Sequence, residues 1–321
     1  MSPAARELTA LSADGSTLHV EVYGPEGAPA VVLAHGWTCS TRFWDAQIAA
    51  LSTDHRVIAY DQRGHGRSPA PAPGGKGYAT DALADDLEAV LAATLGPGER
   101  AVVAGHSMGG MTVMAAAGRP ELRTRAAAVL LCSTGPSRLA AESLVLPLPP
   151  GRLRTRLTTS VLGAKAPLGP VTAVSKKILK YATMGPGSAP DRVEACARIV
   201  HACPRAARVG WSHVLAGLDL EAAVRELRLP VAVLVGTADR LTPPVHARAM
   251  AAALPHCTGL VELTGMGHMT PVEAPEAVTA QIRELTLTYL GAKRNEPNEP
   301  NEPNEQRNQN EQNEQNEEAG A

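Results

Sequence analysis

The feature that most constrains this chain is a set of short, unbroken aliphatic runs spaced along it. They are 30–34 (AVVLA), 56–60 (RVIAY), 101–104 (AVVA), 129–132 (VLLC) and 231–235 (VAVLV). A strand with one face in water alternates apolar and polar residues, and these runs do not. They suit strands buried on both faces, as in a parallel sheet covered by helices on either side. Helical spacing fills the intervals. In 80–95, Leu83, Leu87, Val90 and Leu91 share one face with acidic residues opposite, and 111–117 and 273–290 read as further helices. Two more strands are read over 17–23, after the Asp14-Gly15 turn, and over 259–263. The alternation predicts an α/β fold with a doubly wound, mostly parallel sheet.

That rhythm fails between about 136 and 228, where helix-like stretches are interrupted by Pro147, Pro149, Pro150, Pro167, Pro170 and Pro186. The expected organisation is therefore a core in two pieces, 1–135 and 229–292, carrying a helical lid inserted at 136–228. The final stretch, 293–321, repeats Asn-Glu-Pro and then Asn-Glu-Gln units. Without apolar residues between Asn295 and Glu318 it cannot offset the entropy of ordering, so a disordered tail is expected.

Charge follows the same division. The net charge of −2 over 321 residues gives no reason to expect a nucleic-acid partner. From Asn295 onward eight Glu face one Arg, which leaves +5 for the remainder of the chain. Between Ser137 and Arg225 there are 13 Lys/Arg against 5 Asp/Glu, so the basic surplus sits in the insert. A solvated helix surface is the plain account of that surplus. The functional account is attraction of an anionic substrate, a carrier-bound acyl group or an anionic surface.

Five cysteines show no CxxC or Cys/His pairing with metal-ligand spacing, and reduced, buried thiols are expected. The N-terminal segment has no apolar signal region, and no stretch reaches the ~20 apolar residues of a membrane span. A cytoplasmic chain without cofactor or metal is the expectation.

The chemistry is concentrated in Gly105-His106-Ser107-Met108-Gly109, directly after the run 101–104 and ahead of a helical stretch. This is the G-x-S-x-G elbow in the context it requires. A serine at a sharp strand-to-helix turn takes a strained backbone conformation, and the flanking glycines let strand and helix approach. The helix beginning after Ser107 turns free N–H groups and its positive end toward a developing oxyanion. On these residues the sequence resembles the α/β-hydrolase superfamily, of the lidded serine esterase or lactonase kind, over roughly 18–290.

The resemblance implies the rest of the site. A serine hydroxyl needs a base, and of ten histidines His268, in Gly265-Met266-Gly267-His268-Met269, resembles the family's catalytic histidine. The acid that holds its tautomer is Asp239, in Gly236-Thr237-Ala238-Asp239, which keeps the family order Ser…Asp…His. Asp191 and Asp219 rival it by residue type only, both falling within the insert. By the family pattern, the backbone amides of Met108 and of Trp37, in His35-Gly36-Trp37, form the oxyanion hole. His35 and His106 read as structural, and 61–68 (DQRGHGRS) as a fold-supporting loop in which His65 is a poor second choice of base. Of the insert, His201, Trp211 and His213 could reach the pocket, with core packing the expected place of Trp211.

The serine at the elbow disfavours epoxide opening and dehalogenation, which use a carboxylate there. Hydrolysis of a small acyl ester is the expected reaction. Lactone hydrolysis, thioester release from an acyl carrier and cofactor-free perhydrolysis use the same machinery. A residue as large as Met108 after the serine counts against perhydrolysis. The remaining alternative, of another class, is a ligand receptor on an intact but slow hydrolase site.

Overall fold

The computed structural model describes residues 5–71 and 77–291. The Asn/Glu repeat of the C-terminal stretch, expected to be a disordered tail, lies outside them. Eight strands form one sheet: β1 (Arg6–Leu11), β2 (Thr17–Tyr23), β3 (Ala30–Ala34), β4 (Arg56–Tyr60), β5 (Ala101–His106), β6 (Ala126–Cys132), β7 (Val231–Gly236) and β8 (Cys257–Leu263). The spatial order is β1-β2-β4-β3-β5-β6-β7-β8. β1 and β2 pair antiparallel at one edge, and every pairing from β4 to β8 is parallel.

The unbroken aliphatic runs are explained by burial on both faces. Val32, Val103, Val129 and Val233 point into one core with the helices Thr80–Thr94, Met108–Ala115 and Pro244–Ala253. Their neighbours Val31, Val102, Leu130 and Leu234 point into a second core against Asp45–Leu51 and Pro275–Leu290. Side chains alternate faces along a strand, so a run apolar at every position supplies both cores at once.

Three elements differ from the sequence reading. β1 is an additional strand. It is polar and mostly exposed, and antiparallel pairing to β2, with Arg6 opposite Val22 and Leu11 opposite Thr17, forms it where local pattern does not. The helix after β5 starts at Met108, directly after the elbow. The last helix is two pieces, Thr270–Glu273 and Pro275–Leu290, because the ring of Pro275 drives Ala274 out of helical backbone (φ −137°, ψ 60°).

Between β6 and β7 the chain forms the helices Leu139–Glu142, Arg152–Leu162, Ala173–Thr183, Pro190–Ala202, Arg205–Ala216 and Glu221–Glu226. Several of the prolines that break the pattern lie in the links between these helices. Pro190 instead occupies the first turn of its helix, where a missing N–H costs nothing. The insert is closed at its base by a bridge between Ser137 and Asp219 and by the Leu220 amide donating to Pro136 O at 2.8 Å. Its Trp211 is fully buried, and the indole N–H donates to Arg63 O at 3.0 Å. Among the described residues no helix is long and apolar enough to cross a membrane.

Candidate active site

Four loops at the carboxyl ends of parallel strands converge. Ser107 follows β5, Trp37 follows β3, Asp239 follows β7 and His268 follows β8. Ser107 has φ 51° and ψ −116°, in the region that favours glycine. Its neighbours over-determine this strain. Its N–H donates to Cys132 O (3.0 Å), and its carbonyl accepts from Met111 N–H (3.1 Å) and from Thr134 Oγ1 (2.7 Å).

The glycines around it serve close approach. A Cβ at Gly109 would overlap the carbonyl of Ala34, so β3 and the helix after the elbow could not pack at this distance. A Cβ at Gly36 would meet His106 Nδ1 at 2.7 Å and Ser107 Cβ at 3.1 Å. The His35-Gly36-Trp37 loop therefore rests directly on the elbow. The N–H groups of Trp37 and Met108 have no hydrogen-bond acceptor among the described residues. Met108 opens its helix, so its amide has no intrahelical partner either.

His268 and Asp239 are buried and paired, with Nδ1 2.8 Å from Asp239 Oδ2. The carboxylate is otherwise saturated. Its Oδ1 accepts from the amides of Leu241 (2.8 Å) and Thr242 (3.0 Å), and Oδ2 accepts from Thr242 Oγ1 (2.9 Å), which also lies 3.2 Å from His268 Nδ1. With Nδ1–H given to Asp239, the lone pair of the imidazole is at Nε2. Ser107 and His268 line one cavity of about 240 Å³, together with Trp37, Met111, Leu179 and Leu215 among others. Its walls are mainly aliphatic. Ser107 Oγ has no hydrogen-bond partner among the described residues.

Two contributors escaped the sequence reading. Thr242 is one. The other is Glu273, expected only as part of a helix. It is buried beneath the His268 loop, and its carboxylate accepts from the amides of Gly267 (3.1 Å) and Met269 (3.0 Å), on either side of His268. The same carboxylate accepts from the insert, from Gly185 N–H and Ser188 Oγ, each at 2.6 Å. The His268 amide donates to Thr183 O at 2.7 Å. One carboxylate thus joins the histidine loop to the insert. Its signal in the sequence is an acid five residues after His268, set between Pro271 and Pro275.

His35, His65 and His106 serve hydrogen bonding and packing around the site. His35 donates from Nδ1 to Gly36 O (2.8 Å) and accepts the Gln62 amide at Nε2 (3.0 Å), and burial pushes its pKa down to about 4. His65, buried beside it, is pushed down to about 3 and accepts the Thr38 amide. His106 is held well below the ordinary value, first by burial and then by the neighbouring His268, and its Nε2 lies 2.8 Å from His268 O. The loop 61–68 supports the fold as expected. Asp61 accepts the amides of Thr41 (2.8 Å) and Arg67 (2.9 Å), and Arg63 is ion-paired with Asp86 and Asp14.

The expectation that His201 and His213 could reach the pocket is corrected, whereas the core position expected for Trp211 is observed. None of the three lines it. Trp211 is core, His213 is exposed, and His201 contacts Gly169 O at 2.9 Å. The helix Arg205–Ala216 turns Arg208, Ser212 and Leu215 to the cavity instead, at spacings of four and three residues. Asp191 and Asp219 are exposed and take no part. A second cleft of about 200 Å³, lined by Arg138, Glu142, Glu221, Arg225 and His246 among others, includes neither Ser107 nor His268.

A strained serine at a strand end, sharing an apolar cavity with an imidazole held by a buried carboxylate, is the arrangement of a hydrolase built on a doubly wound sheet. The chain belongs to the alpha/beta hydrolase family, whose model matches residues 31–281. Relatives include a non-heme chloroperoxidase of Streptomyces lividans, 37% identical over 136 residues, 42% of this chain and 48% of that protein. A bifunctional esterase/perhydrolase of Acinetobacter calcoaceticus is 38% identical over 131 residues, 40% of this chain and 46% of that protein. These matches span less than half the length of either relative. The solved structure of a thermophilic esterase from Thermogutta terrifontis superposes with a TM-score of 0.71 at 25% identity, over 89% of this chain and 99% of that one.

Proposed function

We propose that this chain is a serine hydrolase that cleaves a carboxylic ester through an acyl-enzyme intermediate, with Ser107 as nucleophile, His268 as general base and Asp239 as the acid that orients it. The observation that carries the reading is the shared cavity: a strained, unpartnered Ser107 hydroxyl and the free side of an imidazole whose other nitrogen is committed to Asp239. Ser107 Oγ attacks the ester carbonyl while its proton passes to His268 Nε2. Asp239 stabilises the resulting imidazolium without taking the proton. The carbonyl oxygen, now an alkoxide, accepts from the amides of Met108 and Trp37. Each such donor contributes ~3 kcal/mol of transition-state stabilisation. Collapse breaks the C–O bond to the leaving group, and His268 returns its proton to the departing alcohol. Water, deprotonated by His268, then attacks the acyl-enzyme and frees the acid and Ser107.

On this reading 1–135 and 229–292 are the catalytic core, 136–228 is a lid that shapes an aliphatic acyl pocket, and the enzyme works in the cytoplasm without cofactor or metal. Perhydrolysis is the second reading, with peroxide replacing water at the acyl-enzyme. It is favoured by the esterase/perhydrolase relative and opposed by the bulk of Met108 after the serine.

The test is hydrolysis of p-nitrophenyl esters from acetyl to dodecanoyl by the wild type and by Ser107→Ala. Turnover that peaks at one chain length and disappears in the variant supports an esterase. A wild type inactive on every ester, or an active Ser107→Ala, contradicts it. Acyl transfer to hydrogen peroxide, read as peracid in the same assay, decides the second reading.

A further inference from the structure

The outer face of the insert carries two features that nothing in the fold requires. The first is aliphatic. On the helix Arg152–Leu162, Leu153, Leu157 and Val161 stand four residues apart and all are exposed, Leu153 by 69%. On the helix Ala173–Thr183, Val174, Ile178 and Tyr181 stand four and three residues apart and are also exposed, Val174 by 66%. The helices that carry them also wall the Ser107 cavity, chiefly with other side chains. Val161 and Leu168, both exposed, also line it, as does Leu179 beside Ile178. A clustered apolar surface of this kind is where a protein meets a partner or a lipid surface.

The second feature is charge. The 48 residues between Glu142 and Asp191 contain seven Lys/Arg and no Asp or Glu. Arg152 and Arg156 stand exposed in the first turns of their helix, which has no acid in its first turn, while Arg154 between them is buried and donates to Ala141 O at 2.5 Å. Cations at the positive end of a helix are unfavourable, so helix stability does not account for them. Lys176 is paired with Glu194 at 2.8 Å, whereas the exposed Arg152, Arg156, Lys165 and Lys177 form no ion pair among the described residues.

We propose that this face seats on an anionic phospholipid bilayer, with the exposed aliphatic side chains among the acyl chains and the cations at the headgroups. The combination fits an interfacial amphipathic surface, with exposed apolar and basic residues along the same two helices and no acid in the sequence from 143 to 190. A second copy of the chain is a poor occupant, because a two-fold contact sets the same cationic patch against itself. An acidic carrier protein would satisfy the cations but has less use for aliphatic residues on both helices. Seated this way, the cavity mouth opens on the bilayer, which makes amphiphilic acyl esters its substrates. That last clause rests on the hydrolase reading, whereas the docking itself does not.

The full chain is tested by co-sedimentation with vesicles of phosphatidylcholine alone and of equal parts phosphatidylcholine and phosphatidylglycerol, with Ser107→Ala run in parallel. Binding to the anionic vesicles is expected to be at least ~10-fold tighter than to the neutral ones, weakened by salt, and unchanged by Ser107→Ala. Arg156→Gln with Lys177→Gln should lower it roughly ten- to thirty-fold. Leu153→Ser with Ile178→Ser should abolish sedimentation while leaving hydrolysis of a short soluble ester at the wild-type rate. No binding to anionic vesicles, equal binding to both kinds, or indifference to both double variants overturns the proposal. So does a tighter complex with an acidic acyl carrier protein that excludes vesicles. If docking holds and no ester is turned over, the surface stands and the hydrolase reading fails.

Discussion

The strand-end loops and the insert build the same cavity in different ways. The loops hold their reacting groups by short backbone contacts: Ser107 by three hydrogen bonds to its own N–H and C=O, Asp239 by the Leu241 and Thr242 amides, Trp37 by the close approach at Gly36. The insert supplies walls, chiefly aliphatic side chains from several proline-separated helices. Geometry that must be held to a fraction of an ångström sits on the sheet, and shape that can vary sits on helices. On the proposed reading, the difference assigns rate to the sheet and selection to the insert.

That assignment can be broken. Asp239→Asn should lower kcat by ~10⁴-fold at every acyl length, because it disturbs the imidazole tautomer and touches no wall of the pocket. A loss confined to long esters would put Asp239 in selection and contradict the division. Glu273→Gln is the sharper case, since Glu273 binds both regions. Replacing a buried carboxylate that accepts four donors should cost ~2–4 kcal/mol of stability, read as a lower urea midpoint. It should also cost ~10- to 100-fold in kcat through the displaced His268 loop, with KM nearly constant. Unaltered kcat with lowered stability would leave Glu273 a structural strut alone.

On the insert, Leu179→Phe narrows the cavity without approaching Asp239. We expect roughly a ten-fold loss of kcat/KM on long acyl esters and little change on acetyl, by comparison of the chain-length series. A uniform loss would show that the insert also positions the catalytic groups.

The smallest effect concerns the sheet alone. His35, His65 and His106 are buried with pKa values pushed below the ordinary 6.5. The unfolded chain therefore binds more protons than the native one between about 6.5 and the folded values, so stability rises with pH across that window and is lost as pH falls through it. The melting temperature should decline from pH 6.5 toward about 4, the folded value of His35. A flat profile there would mean that these rings are protonated in the fold.

The core was legible because its signals are local and redundant. A run such as AVVLA can serve little else than a strand buried on both faces, and the elbow glycines encode contacts that any side chain would block. Ser107 and Asp239 stand a few residues beyond the ends of such runs, and His268 lies five residues past the less apolar β8, so finding the strands located their loops. β1 was not legible, since a polar edge strand exists only through its pairing with β2. Thr242 and Glu273 were missed because hydrogen bonding to a neighbour's loop leaves no periodicity. The insert was read least well. Which face of Arg205–Ala216 meets the cavity depends on how the helices pack: His213 stays exposed while Arg208 takes the wall.

The most direct measurement is rapid-quench mass spectrometry of the enzyme during turnover of a p-nitrophenyl ester. An acyl mass carried transiently on Ser107, and absent from Ser107→Ala, is the predicted result. Turnover with no acyl adduct, or with the adduct on another residue, would contradict a Ser107 acyl-enzyme and with it the division between a sheet that reacts and an insert that selects.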